Sequence, residues 1–299
     1  MLSILIPTYN YPTLPLVNEL FTQVSKLGLN FEILVLDDAS DNLEIVKENL
    51  KINLIENCKY IVNPENLGRA LNRNKLVSIS KYENLLFMDC DTFPKDSLFL
   101  ERYFNFVKKS TEKVVFGGID YQTERPKNDE MLRWIYGRKR ERIALEIRVK
   151  NPYNYVLTSN ILIKKSVMEQ FPFPDYITAY GFEDVVLILK LKENHIPIAH
   201  IDNPSVHLNL EKSHVFIEKY HSSLTNLKFL IESNNISVSD SKLATLYYKI
   251  KRFNLVPIIL WIFEKTEKNI IKNLTSDKPR LALFDFYKLG YFAKLYSKQ

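Results

Sequence analysis

The stretch LLFMDCDT, residues 85–92, carries four apolar residues straight into two carboxylates that flank one small residue, Asp89-Cys90-Asp91. An apolar run of this length, bounded by polar residues, is what a strand covered on both faces requires, and such strands belong to parallel sheets layered between helices. In an open parallel sheet, ligands bind beyond the carboxyl ends of the strands. The two acids therefore stand where a ligand would. Side chains at i and i+2 of a strand share a face roughly 6.5 Å apart. Hard cations take carboxylate oxygens at about 2.0–2.6 Å, and Mg²⁺ is commonly shared with substrate phosphates. Taken alone, a DxD also suits a solvated strand end; its position after an apolar strand favours a cation that bridges a diphosphate.

Working outward, apolar β-rich runs alternate with helical segments through the first 120 or so residues. Strands are expected at 3–7, 31–36, 59–62, 84–88 and 114–119, with helices at 14–27, 43–48, 68–80 and 97–109. The order predicts an α/β fold, a mostly parallel sheet flanked by helices. Residues 123–155 are polar and charge-dense and read as a helical excursion over one end of the sheet. Strands return at 156–163 and 196–201 around a helix at 183–193, and from about Lys212 the pattern is helical to the end. Four loops converge on one sheet edge: PTYN (7–10), LDDAS (36–40), NPENLGRALNRN (63–74) and DCDT (89–92). No GxGxxG or GxxxxGK[ST] follows the first strand, which disfavours dinucleotide cradling and P-loop phosphate binding.

With 299 residues, 46% hydrophobic and 25% charged, the chain can bury a large core. Two cysteines, Cys58 and Cys90, form neither a disulfide framework nor a zinc pattern, so both are expected reduced. The N-terminus lacks a charged n-region and reaches Pro7 early, so no export signal is expected. The longest apolar run, 255–263, is about half a membrane span. The net charge of +6 is uneven: residues 242–299 hold 12 Lys+Arg against 4 Asp+Glu, leaving 29 against 31 elsewhere. This basic tail is interleaved with aromatic residues such as Tyr247, Phe253, Trp261 and Phe292, a mixture that suits an anionic membrane surface. The positive charge does not sit on the α/β body and no RNP, KH or helix-turn-helix pattern is present, so nucleic acid is not an expected partner. The division expected is a catalytic domain over 1–235 and a helical extension over 236–299.

Glu183 and Asp184 open a helix whose apolar stripe includes Phe182, Val185, Val186 and Leu189. The helix dipole is expected to stabilise both carboxylates in the ionised form, ready to accept a proton. Adjacent helical residues point about 100° apart, so the two acids cannot share one job. The same pair also fits an ordinary solvated helix start. His207, in IDNPSVHL, is the histidine whose context suggests a ligand; His195, His200, His214 and His221 are assigned to packing or surface. The cluster Arg138-Lys139-Arg140 with Arg142 fits either a solvated helix face or an anionic acceptor site.

Together these motifs resemble the inverting family 2 glycosyltransferases of the GT-A fold, of the bacterial surface-polysaccharide type, from residue 3 to about 210. The resemblance implies that Pro7, Thr8 and Tyr9 open the nucleotide pocket and that Asp38 accepts a hydrogen bond from the base. It also implies donor contacts from Asn66, Gly68 and Arg73 of NLGRALNRN, and from Asn160 of TSNILIKKSV, towards the sugar. Asp89 would touch ribose or metal, Asp91 would bind the metal, and His207 would complete the metal site, a donor set suited to Mn²⁺ somewhat better than Mg²⁺. Asp184 becomes the general base and Glu183 an acceptor contact. Only Gly181 precedes Phe182, where relatives are richer in glycine, so donor specificity stays open. The implied reaction is metal-dependent transfer from a nucleotide sugar, UDP-linked first and GDP-linked second, to a saccharide or lipid-linked hydroxyl. The implied place is the cytoplasm, at the inner membrane surface through the C-terminal extension. The competing reading is a membrane or anionic-ligand binding module without transferase activity. An inactive domain would most naturally be damaged at DxD or ED, and both are intact. A nucleotidyltransferase would need a glycine-rich basic loop after strand one, and PTYN is neither.

Overall fold

The computed structural model describes residues 1–177 and 180–297. The first half follows the expected alternation: β1 (Leu2–Thr8), α1 (Leu14–Ser25), β2 (Phe31–Asp37), α2 (Leu43–Asn49), β3 (Cys58–Val62), α3 (Arg69–Ile79) and β4 (Asn84–Met88). Then come β5 (Thr92–Pro94), α4 (Phe99–Lys109), β6 (Val114–Phe116), β7 (Ile119–Tyr121), α5 (Met131–Tyr136) and α6 (Leu145–Lys150). After them follow β8 (Asn160–Lys164), α7 (Lys165–Gln170), α8 (Glu183–Glu193), β9 (Ile198–His200) and β10 (Ser205–His207). Four helices close the chain: α9 (Ser213–Glu232), α10 (Lys242–Arg252), α11 (Val256–Leu274) and α12 (Leu281–Ser297).

Seven strands form the main sheet in the order β3-β2-β1-β4-β8-β6-β9. Only β8 runs antiparallel to its neighbours, β4 and β6. The period-2 geometry of these strands sorts their apolar residues into two cores. Leu5, Leu34, Leu36, Leu85, Phe87, Ile161 and Ile163 face one side, where α3, α7 and α8 supply Ala70, Leu76, Val167, Leu187 and Leu191. Ile4, Ile6, Ile33, Val35, Leu86, Met88 and Leu162 face the other, against Leu16, Val17 and Leu20 of α1 and Phe99 and Tyr103 of α4. Each such side chain stabilises the fold by about 1.5–3 kcal/mol when fully buried, which is why the strands read as unbroken apolar runs.

The expected strand over 114–119 is broken in two. A Cβ on Gly117 would lie 2.4 Å from the carbonyl oxygen of Asn203, and Gly118 has φ +99°, a backbone region that favours glycine. β6 therefore stays in the main sheet, while β7 joins a second, three-stranded sheet in the order β5-β10-β7. The expected strand at 156–163 begins only at Asn160. β5 and β10 were not anticipated, and they matter: antiparallel pairing sets His207 opposite Thr92, directly after the DxD.

The chain forms two compact units. The first holds both sheets and takes residues 1–122, 140–177 and 183–209. The second takes Thr123–Lys139, a short segment ending at Phe182, and the chain from Leu210 on. Its core gathers Leu132, Phe216, Ile217, Phe263, Ile270, Leu274, Phe284 and Tyr287. In this unit the apolar stripe of α9 packs with α11 and α12. Residues 123–139 belong to it too, through Leu132 of α5. No helix among the described residues is long and apolar enough to cross a membrane.

Candidate active site

The loops after β1 and β2 clasp each other. The Asn10 amide donates to Asp41 at 2.7 Å, its backbone N–H donates to Ser40 Oγ at 2.7 Å, and its Oδ1 accepts from the Asn42 N–H. Pro7 and Thr8 are strand residues, and Thr8 is buried, so of the PTYN group it is Tyr9, 48% exposed, that presents its ring outward. The two acids after β2 divide their work as strand alternation dictates. Asp37 is fully buried and accepts from the Tyr60 hydroxyl and from the Ser40 N–H. Asp38 pins the start of α3: Oδ1 accepts from the Leu67 N–H at 2.8 Å and from Asn63 Nδ2 at 3.1 Å, and Oδ2 accepts from the Gly68 N–H at 2.9 Å. Asn66 donates to the Asp38 carbonyl at 3.0 Å and accepts from the Gly68 N–H. Gly68 has φ +82°, which a side chain would strain. Asn66 and Gly68 therefore shape this loop, whatever contact they make with a ligand.

One turn on, α3 presents Arg69 and Arg73, four residues apart and so on one face. Arg73 donates from Nη2 to Asp89 Oδ1 at 2.6 Å, and its Nη1 lies 3.8 Å from Glu183 Oε1. Arg69 donates from Nε to Glu183 Oε1 at 2.6 Å and lies 3.8 Å from Asp89. Two arginines and two acids from three elements thus form one lattice, with Arg73 and Glu183 almost entirely buried. Burial opposes the charge on Glu183, but Arg69 and Arg73 outweigh it and hold its carboxyl below the ordinary range. Burial likewise opposes ionisation of Asp89, and Arg73 and then Arg69 reverse it. Arg73 Nε is buried without a hydrogen-bond partner among the described residues, a donor left over at the centre of the site.

Asp184 behaves differently from its neighbour. Burial, reinforced by the negative charge of Glu183, pushes its carboxyl up to about 6, although Oδ1 accepts the Val185 N–H at 2.8 Å. Both acids are ionised at neutral pH, as expected, but not on equal terms, and the helix dipole is not what decides it. Glu183 is held ionised by arginines, and Asp184 is poised to exchange a proton near neutrality.

A third group collects at the junction of the two sheets. Because β10 pairs with β5, His207 Nε2 comes within 3.6 Å of Asp91 Oδ2, and the Leu208 N–H donates to the Asp91 carbonyl at 2.8 Å. The His207 ring stacks on Tyr121 at 5.5 Å, which fixes its plane. The separation is too long for a hydrogen bond. An imidazole and a carboxylate facing each other in this way fit a divalent cation such as Mn²⁺. Among the described residues no third His, Cys, Asp or Glu joins them. Such a cation would take its remaining ligands from outside the protein, as ions shared with substrate phosphates do. Asp89, expected to share the metal, has its carboxylate engaged by Arg73 instead. Cys90, between the two acids, has its thiol pushed up to about 12 by burial and by Asp91, and is not a nucleophile at neutral pH.

Of the residues expected at the site, Asp89, Asp91, Arg73, Glu183, Asp184 and His207 fall on the arginine lattice, beside it, or on the Asp91–His207 pair. Asn160 does not: it is fully buried, its amide protons go to the carbonyls of Gly118 and Asn203 at 2.7 and 2.9 Å, and its Oδ1 accepts from the Tyr103 hydroxyl. It ties the break at Gly118 to the β9–β10 loop at Asn203 rather than reaching outward. Arg69 was missed, although its i, i+4 relation to Arg73 was readable. Tyr11 was missed too; its phenol is pushed up to about 12 by burial and by the nearby charge of Asp91.

The sequence profile of glycosyl transferase family 2 matches residues 3–171, more than half of the chain. Among solved structures, the mannosyltransferase PcManGT from Pyrobaculum calidifontis, in complex with GDP-Man and Mn²⁺, aligns with a TM-score of 0.53 at 15% identity. The alignment covers 77% of this chain and 64% of that one. Glucosyl-3-phosphoglycerate synthase from Mycobacterium tuberculosis, in complex with Mn²⁺, UDP and glucosyl-3-phosphoglycerate, aligns at 0.51 and 15% identity over 76% of this chain and 79% of that one. S. aureus TarS gives 0.48 at 21% identity, over 74% of this chain. The chain spans only 38% of that TarS chain and 64% of the mannosyltransferase. No curated protein sequence matches significantly. The profile covers six of the seven strands of the main sheet, with Asp38, Asp89 and Asp91 in the loops that follow them; the chain belongs to glycosyl transferase family 2.

Proposed function

We propose that this chain transfers a sugar from a nucleotide sugar, UDP-linked, to a hydroxyl of a saccharide or lipid-linked acceptor, inverting the anomeric centre. Its setting is the synthesis of bacterial surface polysaccharide at the cytoplasmic face of the membrane. The observation that carries the reading is the division between Glu183 and Asp184, one acid held ionised and its neighbour pushed up to about 6. A general base works best when its pKa lies near the operating pH. Asp184 takes the proton of the acceptor hydroxyl as that oxygen bonds to C1 of the sugar. The bond from C1 to the diphosphate breaks in the same displacement, and the nucleoside diphosphate leaves. Glu183, fixed by Arg69, stays an acceptor that orients the incoming hydroxyl. Asp91 and His207 would hold a divalent cation, whose positive charge would stabilise the departing diphosphate. Arg73 offers its remaining Nε donor on the same side. A carboxylate has about four acceptor positions, and Asp38 holds three N–H donors, which leaves one for a ring N–H of the base.

Guanine also has a ring N–H, so the test compares both nucleotides. Thermal shift with UDP- and GDP-sugars, with and without Mn²⁺, reads binding through mass action on the folded state. A UDP-sugar with Mn²⁺ is expected to raise Tm most. Asp91→Ala is expected to lose that rise, and Asp184→Asn to keep it while releasing no nucleoside diphosphate. If no nucleotide sugar raises Tm, or if Asp184→Asn loses donor binding together with turnover, the reading is wrong.

A further inference from the structure

The transfer reaction makes no use of the apolar run 255–263. In α11 the buried residues are Phe263, Ile270 and Leu274, so the first two turns, from Val256 to Ile262, put no side chain wholly inside the protein. Leu255 is 44% exposed, Ile258 53% and Trp261 63%, and Phe253, at the end of α10, is 63% exposed. These side chains are neighbours. Ile258 and Trp261 are three residues apart on one helix face, and Phe253-Asn254-Leu255 makes the turn between the helices. That turn is built tightly: Asn254 sits at φ +54°, and the Leu255 N–H returns to the Ile250 carbonyl at 3.2 Å. Single exposed apolar residues are ordinary, whereas a contiguous group of this kind marks an interaction surface.

Its charge surroundings say which surface. From residue 241 to 263 there is no Asp or Glu, while Lys242, Lys249, Lys251 and Arg252 lie in the same stretch. Three of these cations occupy the last turn of α10, exposed and immediately before Phe253. Phenylalanine, tryptophan and branched aliphatics at a tip, with Lys and Arg at its shoulder, are the composition that enters the headgroup region of an anionic bilayer. A second copy of this chain fits poorly, since a two-fold contact through the turn would bring the same cations face to face.

We infer that the α10–α11 turn is a membrane-docking edge. Phe253, Leu255, Ile258 and Trp261 enter the interfacial layer, and Lys249 and Arg252 pair with the phosphates of anionic lipid. The inference stands on the helical unit alone and does not depend on the proposed transfer reaction.

Co-sedimentation of the full chain with vesicles of phosphatidylcholine alone, and of phosphatidylcholine mixed with phosphatidylglycerol, tests it. Partitioning is expected to be at least about tenfold stronger on the mixture and to weaken with salt. Lys249→Gln with Arg252→Gln should lower it about fivefold per charge. Phe253→Ser with Ile258→Ser and Trp261→Ser should abolish it, with Tm unchanged because these side chains are exposed. A readout that needs no such variant is quenching of tryptophan emission by brominated lipid, expected in the unmodified chain and reduced in Trp261→Phe. Equal binding to both vesicle types, or no quenching, overturns the inference. So does a concentration-dependent dimer, seen by sedimentation velocity, that the triple variant returns to monomer without any vesicle binding.

Discussion

Replacing Asp184 by asparagine is expected to make the protein more stable at neutral pH while removing its activity. The carboxyl is pushed up to about 6 by burial and by Glu183, from an ordinary aspartate value near 3.9. The folded protein therefore holds this proton more tightly than the unfolded chain does. Between about pH 4 and pH 6 the folded state binds more protons, so stability falls as pH rises through that window. The contribution is whole below about pH 4 and gone above about pH 6, which at pH 7.5 amounts to a cost of up to ~3 kcal/mol. Asparagine has the same shape, keeps an oxygen to accept the Val185 N–H, and never ionises. Asp184→Asn should thus unfold later than the unmodified chain at pH 7.5. At about 2–4 °C per kcal/mol for domains of 150–250 residues, the gain is several degrees in Tm. At pH 4 the two proteins should unfold together. Differential scanning calorimetry at both pH values decides the matter: a lower Tm for the variant at pH 7.5, or a gap of the same size at both, refutes the claim that this carboxylate is ionised at a cost.

The same group fixes the pH dependence of turnover. Release of nucleoside diphosphate should fall about tenfold for each pH unit below about 6, and Glu183→Gln, by removing the neighbouring negative charge, should move that limb to lower pH in a kcat/KM profile. Arg73→Met leaves Asp89 and Glu183 with one fewer cation between them in a buried setting. Breaking a buried pair from one side costs about 3–5 kcal/mol, readable as a lower midpoint in urea unfolding. In the helical unit, a Cβ on Gly290 would lie 2.2 Å from Cδ2 of the buried Phe263 ring. Gly290→Ala should therefore destabilise by about 1–3 kcal/mol through overpacking, where an alanine in an open helix would stabilise slightly.

What was legible in the sequence follows from how far each signal had to reach. The strands β1 to β4 were readable because each is a local run whose apolar residues alternate between two cores, and the acids close the last of them. β5 and β10 were not, since three residues carry no period, yet their pairing is what brings His207 to Asp91. The spacing carried by the family resemblance supplied His207, and no periodicity could have. Arg69 shares a helix face with Arg73, but its partner Glu183 lies 114 residues away, and only the folded sheet says which helix starts opposite it. Asp184 is the instructive case. Its place in the first turn of α8 argued for an ionised carboxylate through the helix dipole, an effect of about 0.3–1 kcal/mol, up to ~2 in favourable geometry. Burial together with the charge on Glu183 works in the opposite direction by up to ~3 kcal/mol, and the larger effect wins. A sequence displays the dipole and hides the burial. The residue whose burial it hides is for that reason the one whose proton affinity suits the chemistry proposed for it.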